Sequence, residues 1–504
     1  MARSSTPSFI TEVPLIATSQ DEAELSARFQ AGRQLYNALL NESMARMNLV
    51  RQSDLFKKAK RLSKGKIRNQ AFQTAKEAYR YSEYDIQAYA TVVANQSGWI
   101  AQKVDSNTQQ TLAKRAFQAG EKVMFGRAKK VRFKVPNRFS SMEGKTNKQG
   151  IRWADGQLVW GKLRLDAIID RENPLMMHGL TSKIKYVRLL KKEIHGKHRW
   201  FVQLVCEGLP YQKAANFITE GLVGLDLNIS NVAYVADHNA GLLPFAEKVP
   251  TFEREIFAAQ RQMQRSQRVT NPDNYEPSFE GRKGRRTITK QGKVKKGKRK
   301  WNQSKRYIKL AAKKRELERR KAAYSKSQNR KLVNDILRNG NQVKTENVSV
   351  KAWQKRYGKA ISAKSPGYFQ SELKRKAESA GGSFGKFSTQ KTALSQTHLS
   401  GERVKKSLSE RVHHDQTGIV MQRDLFSAFL ARYVDEDQLS LQDAREAYLG
   451  KESTLLEAWQ RYKQSANRVS IAESRSAHPP VEQISSDSEK ANQIDAPRSG
   501  RKVS

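Results

Sequence analysis

Apolar and polar residues alternate through SFITEVPLIA at 8–17, the two-residue period of a strand with one buried face. From 21 to about 118 the period lengthens. Leu25, Phe29, Leu35, Leu39 and Leu40 fall near helical spacing, and AYATVVANQSGWIAQKV carries a second helical region. Between 130 and 210 short alternating runs return: KVRFKV, LVWGKLRLDAII, KYVRLLKKEI and RWFVQLVCEG, parted by Gly, Asn or His turns. They predict a β-rich unit, a small barrel continuous with the first strand, so that the helical block is an insertion behind that strand.

Residues 221–248, GLVGLDLNISNVAYVADHNAGLLPFAEK, read as three short strands in a meander. A mostly helical segment follows from about 251 to 338, interrupted at 282–306. A strand in QVKTENV at 342–348, a helix near 366–380, a strand in SFGKFST and a helix starting near Gln422 continue the pattern. A helix around 440–465 carries Leu455, Leu456 and Trp459, and residues 466–504 form a polar, Ser-rich tail expected to be disordered.

Charge changes the picture. Across 504 residues, 94 Lys and Arg face 49 Asp and Glu, a formal net charge of +45. An ordinary solvated surface does not need such an imbalance; a polyanion does, because neutralised phosphates release counterions. A nucleic-acid partner is therefore expected. The interruption RKGRRTITKQGKVKKGKRKWNQSKR holds 13 basic residues and no acidic ones. It is expected not to fold alone and to order on phosphate. The candidate contacts are Arg282, Lys283, Arg285, Arg286, Lys293, Lys295, Lys296, Lys298, Arg299 and Lys300, touching phosphate without reading bases. The single cysteine, Cys206, excludes a disulfide framework and any cysteine-based zinc or iron–sulfur site. No run of 18 apolar residues and no signal-like start is present, which predicts a soluble, intracellular protein without a membrane partner.

Three acids carry candidate chemistry. Asp226 sits in LVGLDLNI among Leu222, Val223, Leu225, Leu227 and Ile229, where a carboxylate is costly unless a cation compensates it. The plain alternative is an Asp capping a turn at a strand end. Glu346, in QVKTENVSV, falls inside an expected strand, and alone it reads equally as an exposed edge residue. Asp424 opens an expected helix in MQRDLFSAFLARY, where the helix dipole favours an acid in any case. Together, a strand-borne Asp, a strand-borne Glu after a long helical segment and a helix-borne Asp follow the order of RuvC-type, RNase H-like nucleases.

The motifs GLDLNI, KTENVSV and SQTHLSGERVKKSLSERVHHDQTGIVMQRDLFSAFLA resemble those of TnpB proteins, transposon-encoded relatives of type V CRISPR effectors. The likeness covers roughly residues 8–465 and is most specific from 221 onward. It implies an α+β multidomain fold: a β-barrel of 1–20 and 130–215, a helical recognition lobe at 21–129, and a split RuvC-like domain of 216–395 and 421–465. It implies an RNA-guided DNA endonuclease with guide RNA and target double-stranded DNA as partners. Asp226, Glu346 and Asp424 would be the catalytic acids holding two Mg²⁺ ions about 4 Å apart. The setting would be cytoplasmic, nucleoid-associated and bacterial. In the family the insertion at 396–420 is a zinc ribbon with four cysteines. Here those positions are His398, Ser400, Asp415 and Thr417, while the turn glycines Gly401 and Gly418 remain. His398, His413 or His414, and Asp415 are too few ligands for a structural zinc site, so zinc is not expected. Because that insertion helps load DNA, its decay leaves open a guided DNA-binding protein with weak or no cleavage. A general RNA-binding or nucleoid protein is a third reading, but it does not account for the three ordered acids.

Overall fold

The computed structural model describes residues 6–477 apart from Glu247, Arg285, Lys298 and Leu408. Arg285 and Lys298, two of the expected phosphate contacts, and residues 478–504 of the expected tail lie outside the described residues.

The chain opens with β1 (Ser8–Leu15) and a helical block, α1 (Ser19–Gln52), α2 (Asp54–Arg61), α3 (Lys66–Glu77), α4 (Glu83–Ser97), α5 (Trp99–Lys103) and α6 (Ser106–Met124). Start signals are local. Thr18 and Asp21 form a capping box for α1, Ser82 and Asp85 do the same for α4, and Asp105 caps α6. Then come β2 (Ser141–Glu143), β3 (Ile151–Ala154), β4 (Gln157–Trp160), β5 (Leu163–Asp166), α7 (Pro174–Thr181), β6 (Ile184–Ile194) and β7 (Lys197–Glu207). The strands β8 (Leu222–Leu227), β9 (Asn231–Val235) and β10 (Ala240–Pro244) precede α8 (Val249–Thr270), β11 (Phe279–Lys283), β12 (Arg286–Lys290) and α9 (Lys305–Leu337). There follow β13 (Gln342–Glu346), α10 (Val350–Lys364), α11 (Pro366–Ser379), β14 (Ser383–Phe387), α12 (Thr389–Thr392), β15 (Val412–His414), β16 (Val420–Gln422), α13 (Arg423–Ala431), β17 (Val434–Asp435), β18 (Gln438–Leu439), α14 (Leu441–Tyr448) and α15 (Glu452–Ala477). Residues 466–477 of the expected tail are thus helical, as the continuation of α15.

The chain divides into two compact units, Met1–Ile218 with Ala246–Arg338 and Ser362–Ser379, and Thr219–Phe245 with Asn339–Ile361 and Ala380–Ser504. In the first, the helical block and the strands share one core. Leu25, Leu35 and Leu112 from the helices join Val13, Met142, Leu189 and Val202 from the sheet, and Phe29 meets Trp200 edge-on at 5.1 Å.

The expected barrel is not closed. The sheet runs β1–β7–β6–β2, with β3–β4–β5 as a separate three-stranded meander. Two causes are visible. The run KVRFKV does not form a strand; Asn37 and Arg33 of α1 hold the backbone of Lys134 by side-chain hydrogen bonds of 2.8–3.2 Å instead. Among the described residues, the outer side of β1 is met by two backbone bonds at its end, Ile16 N to Asp166 O and Ile168 N to Pro14 O.

The basic interruption is also folded, contrary to expectation. Strands β11 and β12 pair antiparallel, Phe279 to Lys290 through Lys283 to Arg286. Its base is bracketed by Asn271, which donates to Asn302 O at 2.9 Å and accepts from Asn302 N at 2.7 Å, and by Asn274 on Lys300 O at 2.8 Å. Arg268 lies 4.2 Å over the Tyr275 ring, which meets Trp301 edge-on. Neutral amide brackets and the Arg268–Tyr275 stack hold the tip together against the repulsion of its like charges.

The second unit is built on the sheet β10–β9–β8–β13–β14. The first three strands are an antiparallel meander, whereas β13 is parallel to both β8 and β14. Its core collects Ala233, Val235 and Leu242 from the sheet with Leu425, Phe426, Phe429 and Leu430 from α13 and Leu455 from α15.

Candidate acidic metal centre

The centre starts from Gly224. A Cβ there would stand 2.1 Å from the carbonyl oxygen of Ala428 and 2.8 Å from Cγ of Arg432, so α13 lies directly on β8 at this point. Asp226 is two residues on and therefore on the same face of the sheet. Asp424 is one helical turn before Ala428 and therefore on the same side of α13. Strand register supplies the third acid. Lys344 pairs with Gly224 and Thr345 with Leu225, so Glu346, at the end of β13, follows alongside Asp226. Lys344 meanwhile donates to the carbonyls of Arg432 and Val434 at 3.4 and 2.7 Å, clamping the end of α13.

At the other end of α13, Gln422 is the N-cap. Its Oε1 accepts from Leu425 N at 2.7 Å, and its Nε2 donates to Asp424 Oδ2 at 3.1 Å, aiming that carboxylate. Asp424 is buried, and Asp226 and Glu346 are half-buried.

Electrostatics shows two of the acids acting on the third. Burial, then the charges of Asp424 and Glu346, raise the Asp226 carboxyl well above its ordinary range; Arg423 and Arg411 oppose this. Burial pushes Glu346 up to about 7, against a hydrogen bond from the Leu394 backbone. Among the described residues, the trio of possible metal ligands drawn together within 4.8 Å of one another is His398, His413 and Asp415, not the three acids.

Sequence reading singled out the three acids but not Gly224, Lys344, Gln422, Arg411 or Arg423. A glycine in the middle of the apolar run LVGLDL was the available signal, since such a glycine marks close backbone approach. The roles of Lys344 and the two arginines depend on tertiary packing and leave no local trace.

The trio at the insertion links its two turns. Both turns survive: Gly401 N bonds His398 O, Gly418 N bonds Asp415 O, and both glycines have positive φ, +98° and +90°. The donors a metal needs are already engaged. Asp415 Oδ2 accepts from Leu399 N and His413 Nε2, both at 2.9 Å. Its Oδ1 accepts from Thr417 N at 3.1 Å and Thr417 Oγ1 at 2.8 Å. His413 Nδ1 accepts from Lys406, and His398 Nδ1 accepts from Gln416 N at 3.2 Å. Ser400 is hydrogen-bonded to Gln416 at the neighbouring turn. Burial opposes the charge of Asp415, but its hydrogen bonds outweigh that and hold it below the usual carboxylate range. Burial lowers His413 to about 4, so the ring is neutral at pH 7. Of these groups, only His398 Nε2 is buried without a partner among the described residues. With a lysine ammonium on one prospective ligand and every carboxylate lone pair in use, the residues do not fit zinc.

The expected phosphate contacts are remote in sequence from these acids and belong to the first unit. Arg282, Arg286, Lys293, Lys295, Lys296, Arg299 and Lys300 are placed on the folded tip, where Arg299 donates to the carbonyls of Lys295 and Lys296; Lys283 ends β11. No helix of the described residues is long and apolar enough to cross a membrane.

No family model and no curated protein matches the chain. Similar solved structures include one described as "Cryo-EM structure of the Cas12f1-sgRNA-target DNA complex", at 10% identity and a TM-score of 0.49, covering 84% of this chain and 98% of that one. Another is described as "Cryo-EM structure of CRISPR-Cas12f Ternary Complex", at 11% identity and a TM-score of 0.30, covering 82% of each chain.

Proposed function

We propose that the protein is an RNA-guided DNA endonuclease of the TnpB type, hydrolysing DNA in a RuvC-like centre formed by Asp226, Glu346 and Asp424. The observation that carries this reading is the gathering of three acids from two adjacent strands and the helix packed on them, with the charges of Asp424 and Glu346 both felt at Asp226. An antiparallel meander extended by two parallel strands, with a helix seated on the central one, supports an RNase H-like assignment.

The donor set suits magnesium: three carboxylates and no imidazole or thiolate. Two Mg²⁺ ions held by Asp226, Glu346 and Asp424 would supply an activated water and charge stabilisation for the leaving oxygen. The chain's own contribution is placement. Asp226 feels the charges of both other acids. Gln422 orients Asp424, Gly224 lets its helix approach, and Lys344 fixes the helix end. Arg411 and Arg423 oppose the upward shift of Asp226, and Arg411, which is exposed, adds a charge that attracts phosphate. The basic tip holds the nucleic-acid backbone without reading sequence. Cleavage of a duplex matching RNA that copurifies with the protein, assayed with each acid replaced in turn, tests the reading.

The alternative is a guided DNA-binding protein that cuts poorly, acting in transposition or regulation. One observation favours it: the insertion's two turns are joined by hydrogen bonds instead of metal–thiolate bonds, and a less rigid insertion would load DNA less well. Target binding without cleavage in any divalent ion would select this reading.

A further inference from the structure

Two amides at the turn between β8 and β9 have no part in the acidic centre as built from its three carboxylates. Asn228 Nδ2 and Asn231 Oδ1 are both buried without a hydrogen-bond partner among the described residues. Strand register sets them side by side. Asp226 pairs with Ala233 and Leu227 with Val232, so Asn228 and Asn231 stand opposite one another in the next rung. A backbone bond from Asn228 N to Asn231 O, at 3.0 Å, closes that rung. Side chains alternate along a strand, and directly opposed residues share a face. Gly224, where α13 meets β8, therefore fixes the face: Asp226 and Asn228 follow it at two-residue steps, and Asn231 lies across from Asn228. An unpaired donor and an unpaired acceptor thus belong to the α13 side of the sheet, one step beyond Asp226.

An interior amide without a partner is costly, and such a cost persists where a ligand relieves it. Both residues are half-buried, and an Asn amide turns readily about its last torsion, so each terminus reaches outward without a backbone shift. The chemistry of the centre indicates what they take. Its ionised carboxylates only accept, and the Gln422 amide is spent on Leu425 N and Asp424. A phosphodiester presents nonbridging oxygens that call for donors, and an attacking water calls for an acceptor. We propose that Asn228 Nδ2 donates to a nonbridging oxygen of the phosphate being cut, while Asn231 Oδ1 accepts from the attacking water and orients it. In that hydrolysis the water oxygen bonds to phosphorus and one bridging P–O bond breaks. The proton lost by the water balances the one gained by the leaving oxygen, and neither asparagine gives up a proton. The assignment rests on the nuclease reading and adds to it two residues that touch the reacting atoms.

The test uses full-length protein with its copurified RNA and three matched DNA duplexes. They differ only at the scissile phosphate, which carries oxygen or has sulfur, a weak acceptor, in one or the other nonbridging position. Single-turnover cleavage is measured in Mn²⁺ at equal target occupancy. Loss of one preorganised donor costs about 10²-fold in rate, so Asn228→Ala should slow cutting of the oxygen duplex by about that factor. On one of the two sulfur duplexes the same substitution should cost less than about tenfold, because the contact is already weakened there. Asn231→Ala should slow all three about equally, since its contact is to water. Thermal unfolding in EDTA gives a readout free of cleavage. Truncating an amide that has no partner removes no bond, so neither substitution should lower the melting temperature. A lowered melting temperature would show an amide pair that only holds the turn, and overturns the proposal. So does an Asn228→Ala rate equal to wild type, or one reduced equally on all three duplexes. In each of those cases wild type still cuts and the nuclease reading stands. Wild-type protein that binds the oxygen duplex without cutting it overturns the nuclease reading, and this assignment with it.

Discussion

The carbonyl oxygen of Ala428 occupies the space where Gly224 would carry a side chain, 2.1 Å from that Cβ position. The contact sets the distance between the strand bearing Asp226 and the helix bearing Asp424. Gly224→Ala must therefore lift α13 from the sheet or strain it, at about 1–3 kcal/mol. Thermal unfolding should show that loss, and titration with Mn²⁺ should show weaker binding because the acids have separated. Unaltered Mn²⁺ affinity would mean that the helix does not position Asp424.

Glu346 gives the centre a pH signature. Its carboxyl titrates at about 7 in the folded protein, above its ordinary value of 4.5. A folded-state pKa raised in this way adds stability at low pH that is lost as pH rises through about 7. Without divalent ions, the wild-type melting temperature should gain on that of Glu346→Gln as pH falls from about 7 to about 4.5. His413, depressed to about 4, works in the opposite sense, so the difference between the two proteins is the readout. Divalent-ion affinity should also fall below pH 7, since protons then compete for the carboxylate.

At the insertion, Asp415 accepts four hydrogen bonds and joins the two turns. Asp415→Ala would leave buried donors unpaired and should cost on the order of 3 kcal/mol. Elemental analysis of protein purified without chelator should find no stoichiometric zinc. A stoichiometric signal that disappears in the His398→Ala and Asp415→Ala variants would contradict the hydrogen-bonded account.

The basic tip should behave as a phosphate holder. Replacing Lys295, Lys296, Arg299 and Lys300 with Ala should weaken binding about equally across target sequences and reduce the salt slope by nearly one for each phosphate set free. Selective loss of one target sequence would show base reading instead.

Much of the centre was legible because it is written in local patterns. Asp226 and Glu346 interrupt apolar alternation on β8 and β13, and Asp424 sits in the first turn of α13 behind a capping Gln422. The two turns of the insertion were legible from their glycines, Gly401 and Gly418. What local pattern could not show was tertiary capture. KVRFKV alternates like a strand but is held by Asn37 and Arg33 of a distant helix. The basic tip folds because Asn271 and Asn274, outside the charged run, close its base. The helix α10 was missed although Ser349 accepts from Ala352 N at 3.2 Å near its start.

The most direct measurement is cleavage of a DNA duplex matched to the copurified RNA, in Mg²⁺, by wild type and by Asp226→Ala at equal target occupancy. The acidic centre predicts that wild type cuts and that Asp226→Ala does not, while binding of the duplex is nearly unchanged because the basic surface holds it elsewhere. Cutting by Asp226→Ala at the wild-type rate would contradict the assignment of this centre as the site of hydrolysis.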